Sequence, residues 1–234
     1  MSARAEIYAR LGSACKTERP DAVAWRESLG SAPTAPLPAE DISEAFLLNV
    51  CRSKGSVQCA SGRMQAAQAI ARFHQAVSRN QRLTVGSDPR LGALPWRDAG
   101  LLPRFGAADP DDSTVVSFAP LGVAETGQVV TWTGKANPGV NNLLPQHHIV
   151  LVDAADLVPD MEYAWRELSE RMALDGRPRG IQFIAGPSRT SDIEGQLQYG
   201  AHGPRNFHVI LLEDYPSGAQ ERVEALYPSN LADR

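Results

Sequence analysis

Residues 181–212 read IQFIAGPSRTSDIEGQLQYGAHGPRNFHVILL, and the rest of the chain is organised around them. Residues 181–185 read as a short apolar run, the pattern of a strand covered on both faces of a parallel sheet. Gly186-Pro187 turns the chain. Ser191 stands three residues before Glu194, the spacing of a capping box, and Asp192 adds negative charge to the first helical turn. Ile193 and Leu197 supply the inward stripe of a helix ending near Gly200. After His202-Gly203-Pro204, residues 207–212 are a second apolar strand. The segment predicts a βαβ unit with a right-handed crossover.

Outward from this unit, strands are expected near residues 83, 116, 130 and 150, interleaved with helices. Between residues 62 and 77, Met64, Ala67, Ile70, Ala71, His74 and Val77 recur at helical spacing, with His74 expected as a buried, hydrogen-bonded histidine. Met161, Ala164, Trp165, Leu168 and Met172 line one side of a second amphipathic helix, with Trp165 and the methionines as core. Residues 113–133 read strand, bend, strand, an antiparallel excursion on an otherwise parallel sheet. His147-His148 open another buried strand; neighbours on a strand face opposite ways, so the two do not share a metal. Residues 3–14 and 41–50 are helical, SAPTAPLP at 31–38 is a connector, and 51–62 is either a short strand or an irregular link. A polar tail with one short helix near 221–226 follows Leu212. The pattern predicts a three-layer α/β protein with a mainly parallel sheet, residues 1–60 forming a helical N-terminal extension and 61–234 the α/β domain.

Composition narrows the function classes. The chain has 234 residues and a formal net charge of −4, with no basic block, which gives no electrostatic case for nucleic acid. No apolar run approaches the ~20 residues that span a bilayer. The N-terminus, MSARAEIYARLGSAC, has no apolar signal core, so a cytoplasmic protein is expected. Cys15, Cys51 and Cys59 are an odd number with no close pair, which argues against disulfides and against zinc or iron–sulfur ligation within the chain. No cofactor is expected here; metal centres for electron transfer would have to sit on another chain. Neither G-x-G-x-x-G after a strand nor a P-loop is present, so dinucleotide or P-loop nucleotide binding has no support.

The candidate chemistry lies at the glycine turns, next to the sheet. Arg189 and free amides at a helix start are able to hold a carboxylate or phosphate. Equally, Ser191, Asp192 and Glu194 serve as caps while Arg189 pairs with a neighbouring acid. Glu125 is the one acid in the small, apolar segment around Ala124 and Thr126-Gly127, a candidate general base or nucleophile; alternatively it accepts backbone hydrogen bonds and holds the bend. Lys135, in the irregular loop GKANPGVNNLLP at 134–145, is able to reach an anion at the sheet edge.

GPSRTSDIE followed by AHGPRNFHVILL resembles the C-terminal signature of the LUD-domain family, within its lactate-utilisation branch. Ala124-Glu125-Thr126-Gly127 and Leu143-Leu144-Pro145 with His148-Ile149-Val150 resemble that family's other blocks, in the same order. The resemblance implies the fold shared by sugar-phosphate isomerases, glucosamine-phosphate deaminase and coenzyme A transferases (NagB/RpiA/CoA transferase-like). It also implies a non-metal subunit of the system that oxidises L-lactate to pyruvate, working with an iron–sulfur LUD-domain protein and a cysteine-rich subunit that carry the clusters. Under that resemblance Glu125 and His202 are the catalytic candidates. Gly127, Lys135, Gly186, Ser188, Arg189, Thr190, Asp192 and Gly203 are the candidates for binding a small anion. The family often has a basic residue shortly before Leu-Leu-Pro; here Gly139, Val140 and Asn141 fill that place, leaving Lys135 or Arg189 to make the contact. Two other classes remain open: a stand-alone enzyme on a sugar-phosphate or coenzyme A-linked substrate using Glu125, and an assembly module without chemistry. An exposed apolar patch near Leu143-Leu144 would favour the module.

Overall fold

The structure, a computed structural model, describes residues 2–14, 21–30, 33, 35–191 and 197–228. The chain divides into two units, Met1–Thr34 and Ala35–Arg234. The first holds helices α1 (Ala3–Ala14) and α2 (Ala22–Ser28). The division expected at residue 60 falls inside the second unit, which already includes α3 (Ile42–Arg52) and β1 (Ser56–Ala60). α3 belongs there because Ala45, Phe46, Leu47 and Val50 are completely buried. Asp41 caps it by accepting from the amides of Ser43 and Glu44 at 2.8 and 3.0 Å.

The second unit continues through α4 (Arg63–Val77), β2 (Arg82–Val85), α5 (Pro89–Gly92), β3 (Leu102–Phe105) and β4 (Thr114–Ala119). There follow β5 (Leu121–Val123), β6 (Gln128–Trp132), β7 (His147–Asp153), β8 (Leu157–Val158) and α6 (Met161–Asp175). The last elements are β9 (Ile181–Ile184), β10 (Arg189–Ser191), β11 (Leu197–Tyr199), β12 (Asn206–Leu212) and α7 (Ala219–Leu226). Six strands form one sheet in the order β1-β12-β7-β4-β2-β3, every pair parallel. Alternate side chains of its central strands serve two cores. Val150, Val152, Val209 and Leu211 pack with α3 and Val223 of α7, while Ile149, Leu151 and Ile210 pack with Ile70 and Phe73 of α4. Helices on both faces make the three-layer α/β arrangement, and burial on both faces explains the near-continuous apolar runs. α7 closes one core, so this part of the C-terminal segment is not a tail.

Residues 181–212 depart from the expected βαβ unit. β9 lies in a separate four-stranded sheet, β8-β5-β6-β9, where it runs antiparallel to β6. All four of its residues are half-buried, not enclosed. A short apolar run does not name its partner, and here the antiparallel excursion at β5 and β6 captures it. In place of a helix stands the hairpin β10-β11, pairing Arg189 with Tyr199, Thr190 with Gln198 and Ser191 with Leu197. β-branched Thr190 and aromatic Tyr199 suit strands, whereas the expected helical stripe had only two apolar positions. Leu197, one of them, is 52% exposed. Asp192, Ile193 and Glu194 lie outside the described residues.

α6 forms where periodicity placed it, capped by Asp160, with Ala164 and Leu168 fully buried against Leu121, Val123 and Val130. Trp165, expected as core, is 47% exposed, its ring lying tilted at 44° against Phe183 of β9 with centroids 5.2 Å apart. Among the described residues no helix is long and apolar enough to cross a membrane.

Candidate functional site

The glycine turns do converge. Gly186 follows β9 where the chain passes the end of α3; a Cβ there would sit 2.4 Å from the Ser53 carbonyl oxygen, so only glycine permits the approach. Ser188 ties the base of the β10-β11 hairpin. Its amide donates to Pro204 O at 2.8 Å, its carbonyl accepts from Gly200 N at 2.9 Å, and its hydroxyl oxygen accepts from His202 N at 3.2 Å. The result is an open cleft of about 510 Å³, within the range of small-molecule sites. Gly186, Ser188, Arg189, Thr190, His202 and Gly203 line it, together with Asn142 and Gln182. Arg189 and His202 are exposed. No carboxylate among the described residues pairs with Arg189. The cleft thus offers one guanidinium, two hydroxyls and an imidazole.

Glu125 does not line this cleft. Its carboxylate accepts from Met161 N at 3.3 Å, at the start of α6, and from Ala35 N at 3.5 Å, while its amide donates to Pro159 O. Both the carboxylate oxygens and the backbone hold the β5–β6 turn in place, the structural alternative for this acid. Gly127 is structural for the same reason: at φ +66° it lies directly against α3. Glu125→Gln is expected to cost about 0.5–1 kcal/mol of stability, through a weakened amide contact near a helix start, and to leave anion binding in the cleft unchanged. Paired thermal melts and binding titrations check both halves.

Lys135 belongs to a second cavity, of about 270 Å³, where the C-terminal ends of β2 and β4 part and the chain leaves the sheet in opposite directions. Lys135, Arg90 and Asn137 stand there against Phe118 and Trp132. Arg90 lies 3.6 Å over the Phe118 ring and bonds Asp88 at 2.9 and 3.0 Å. Against the desolvation of its burial, the Arg90 hydrogen bonds hold the Asp88 carboxyl below its usual range. Lys135 and Arg189 therefore do not share a ligand.

Four of the five histidines are interior. His74 bonds Thr114 Oγ1 at 3.1 Å, as its helical position suggested, and His147 meets Asn206 Nδ2 at 3.0 Å on the opposite face from His148. Burial pushes His147 down to about 4, helped by nearby His74 and Arg205, and His148 and His208 to about 3. None of these three carries a second ring proton near neutrality, and His202 is the histidine that lines the cleft. Among the described residues no group of three or more His, Cys, Asp or Glu side chains is arranged for a metal. The sequence reading missed Asn137, Asn142 and Gln182. Their signals were the asparagines before Leu143-Leu144-Pro145 and the single polar residue inside the IQFI strand.

Comparison with known proteins places these loops in a recognised domain. Residues 112–212 match the LUD domain model. Lactate utilization protein C of Halalkalibacterium halodurans is 39% identical over 100 residues, covering 42% of this chain and 44% of the relative. Its counterpart in Exiguobacterium sp. is 28% identical over 188 residues, 75% of this chain and 79% of the relative. The chain thus spans less than half the length of the first relative and most of the second. The crystal structure of a duf162 family protein from Deinococcus radiodurans superposes with a TM-score of 0.55 over 76% of this chain and 99% of that one, at 17% identity, a likeness of fold alone. The cleft and three of the six strands of the parallel sheet lie inside the segment, residues 112–212, that is similar to the LUD domain.

Proposed function

We propose that this chain serves lactate utilisation as a small-carboxylate-binding subunit, with the ligand held in the cleft at the base of the β10-β11 hairpin. The carrying observation is the convergence of Arg189, Ser188, Thr190 and His202 on one cleft. Arg189 receives the carboxylate through charge-assisted hydrogen bonds, and the hydroxyls orient it. His202, its loop pinned by Ser188, accepts the hydroxyl proton of L-lactate, while the Cα–H bond breaks and its proton and two electrons pass to acceptors on partner chains, an iron–sulfur LUD-domain protein and a cysteine-rich subunit, leaving pyruvate. The two described cysteines support that division, Cys15 lying outside the described residues. Cys51 is buried, and burial, with Glu221 and Glu224 beside it, pushes the Cys59 thiol up to about 12, far from a ready thiolate ligand.

Arg189→Ala is expected to weaken L-lactate and pyruvate binding by about 10–100-fold, the worth of a hydrogen-bonded charge contact. Calorimetric titration of the isolated protein measures it; equal affinity in the variant would remove Arg189 from the site. A second reading, partner docking without chemistry, is favoured by Val140, Leu143 and Leu144, which are 45%, 57% and 46% exposed beside the cleft. Absence of binding by any small acid would select it. A covalent acyl adduct on Glu125 is not expected, since that carboxylate is held by backbone amides outside the cleft.

A further inference from the structure

A chain of buried polar groups runs between the two cavities, and its direction bears on the cleft. His148 Nε2 lies 3.0 Å from Ser117 Oγ, which lies 3.2 Å from Asn137 Oδ1. Asn137 Nδ2 meets Asn142 Oδ1 at 3.4 Å, and Asn142 Nδ2 reaches both Thr131 Oγ1, at 3.0 Å, and Gln182 Oε1. Thr131 and Gln182 are cross-strand partners on β6 and β9, so Asn142 bridges a facing pair. Every member except Gln182 is buried; Gln182 is half-buried and lines the cleft.

The proton order along such a chain follows from its closed end. His148 is neutral in the interior and carries one ring proton. Its Nδ1 has no partner among the described residues. A proton there would be a buried donor without an acceptor, whereas a proton on Nε2 leaves only an unused lone pair, the cheaper defect. His148 therefore donates to Ser117, Ser117 to Asn137, Asn137 to Asn142, and Asn142 to Thr131 and Gln182. The reversed order would create the orphaned donor. The Gln182 carbonyl faces inward, and its NH₂ group is the end left for the cleft.

We infer that Gln182 is a ligand-binding residue of the cleft, presenting side-chain N–H donors to a carboxylate oxygen beside Arg189, and that Asn142 is the positioning residue that keeps it so oriented. The inference rests on the carboxylate reading of the cleft. A carboxylate offers only acceptors, and Arg189 and Gln182 then offer only donors, so charge and hydrogen-bond polarity match together. Were the Gln182 amide reversed, oxygen would face oxygen. Asn142 thus sets the polarity of a side chain on another element without touching the ligand.

The test is calorimetric titration of the full chain with L-lactate, alongside thermal melts. Gln182→Glu, which replaces the donor by a charged acceptor, is expected to weaken binding at least about tenfold, whereas Gln182→Lys, which keeps a donor, stays within about threefold of wild type. A merely structural Gln182, whose part is to accept from Asn142, would keep that contact in Gln182→Glu and lose it in Gln182→Lys, which gives the opposite order. Asn142→Asp is expected to turn the Gln182 NH₂ inward and to weaken binding in the same direction as Gln182→Glu. If that variant does not fold, the side-chain amide resonances of Gln182, identified by their loss in Gln182→Glu, are expected to shift when L-lactate is added to wild type. Unchanged affinity in Gln182→Glu together with loss in Arg189→Ala would overturn the role of Gln182 and leave the cleft reading standing. No binding of L-lactate to wild type would overturn both.

Discussion

Acidification from pH 7 to pH 4.5 is expected to unfold this protein. His148 and His208 are fully buried and held neutral, by desolvation first and, for His208, by the nearby Arg72 charge as well. Their folded values of about 3 lie well below the ~6.5 of an unfolded histidine. Below pH 6.5 the unfolded chain therefore binds more protons than the folded one, and stability falls with pH until about 3. Above pH 6.5 the contribution is complete and flat. Each such histidine removes about 1.4 kcal/mol per pH unit inside that window, so two remove roughly 5 kcal/mol by pH 4.5. His147, held near 4, adds to the loss over most of the same range. That total rivals the ~5–15 kcal/mol by which domains are stable. Urea unfolding from pH 7.5 to 4.5 measures it, and equal stability at both ends would show that the three histidines are not held neutral in the fold.

Gly127→Ala is expected to cost about 3–5 kcal/mol, as left-handed backbone strain and steric overlap add. At φ +66°, an added Cβ would lie 2.3 Å from Val50 N and 2.4 Å from Asn49 C. α3 has no room to retreat, because Asn49 Nδ2 donates to the carbonyls of Ala124 and Glu125 at 2.8 and 3.1 Å. Gly62→Ala is the control: φ is +84° and ψ 165°, a region almost only glycine adopts, and nothing stands within 4 Å of the new carbon, so only the backbone strain, about 1–3 kcal/mol, remains. Denaturation midpoints of the two variants separate strain from contact. A similar cost for both would show that the approach of this turn to α3 does not matter. The result also bears on function, because it treats the Ala124–Gly127 turn as a brace against α3 instead of a reactive centre.

The stretch that organised the sequence reading was right about its turns and wrong about what joins them. Gly186-Pro187 and His202-Gly203-Pro204 do flank one cleft with Ser188, Arg189 and Thr190. The helix expected between them is a hairpin at its described residues, since capping-box spacing is a local signal that does not exclude strand pairing. The four-part resemblance located the domain, but resemblance of blocks does not say which blocks meet. Glu125 and Lys135 fall in separate surroundings from Arg189, and Asn142, noted only as a loop residue, stands at the cleft.

By itself the sequence determined the parallel sheet and its helical layers. Apolar runs at 149–152 and 207–212 have no polar face to give to water, so they demand cover on both sides, and helical periodicity at 63–77 and 161–175 supplies cover of that kind. Only the tertiary structure decided that β9 pairs with β6, that Arg189 and His202 share a cleft without Glu125, and that a polar chain from His148 orients Gln182. These depend on which edges and side chains meet across long separations in the chain. Burial is a property of a residue and its near neighbours, and leaves a periodic trace; partnership is a property of two distant segments, and leaves none in either alone.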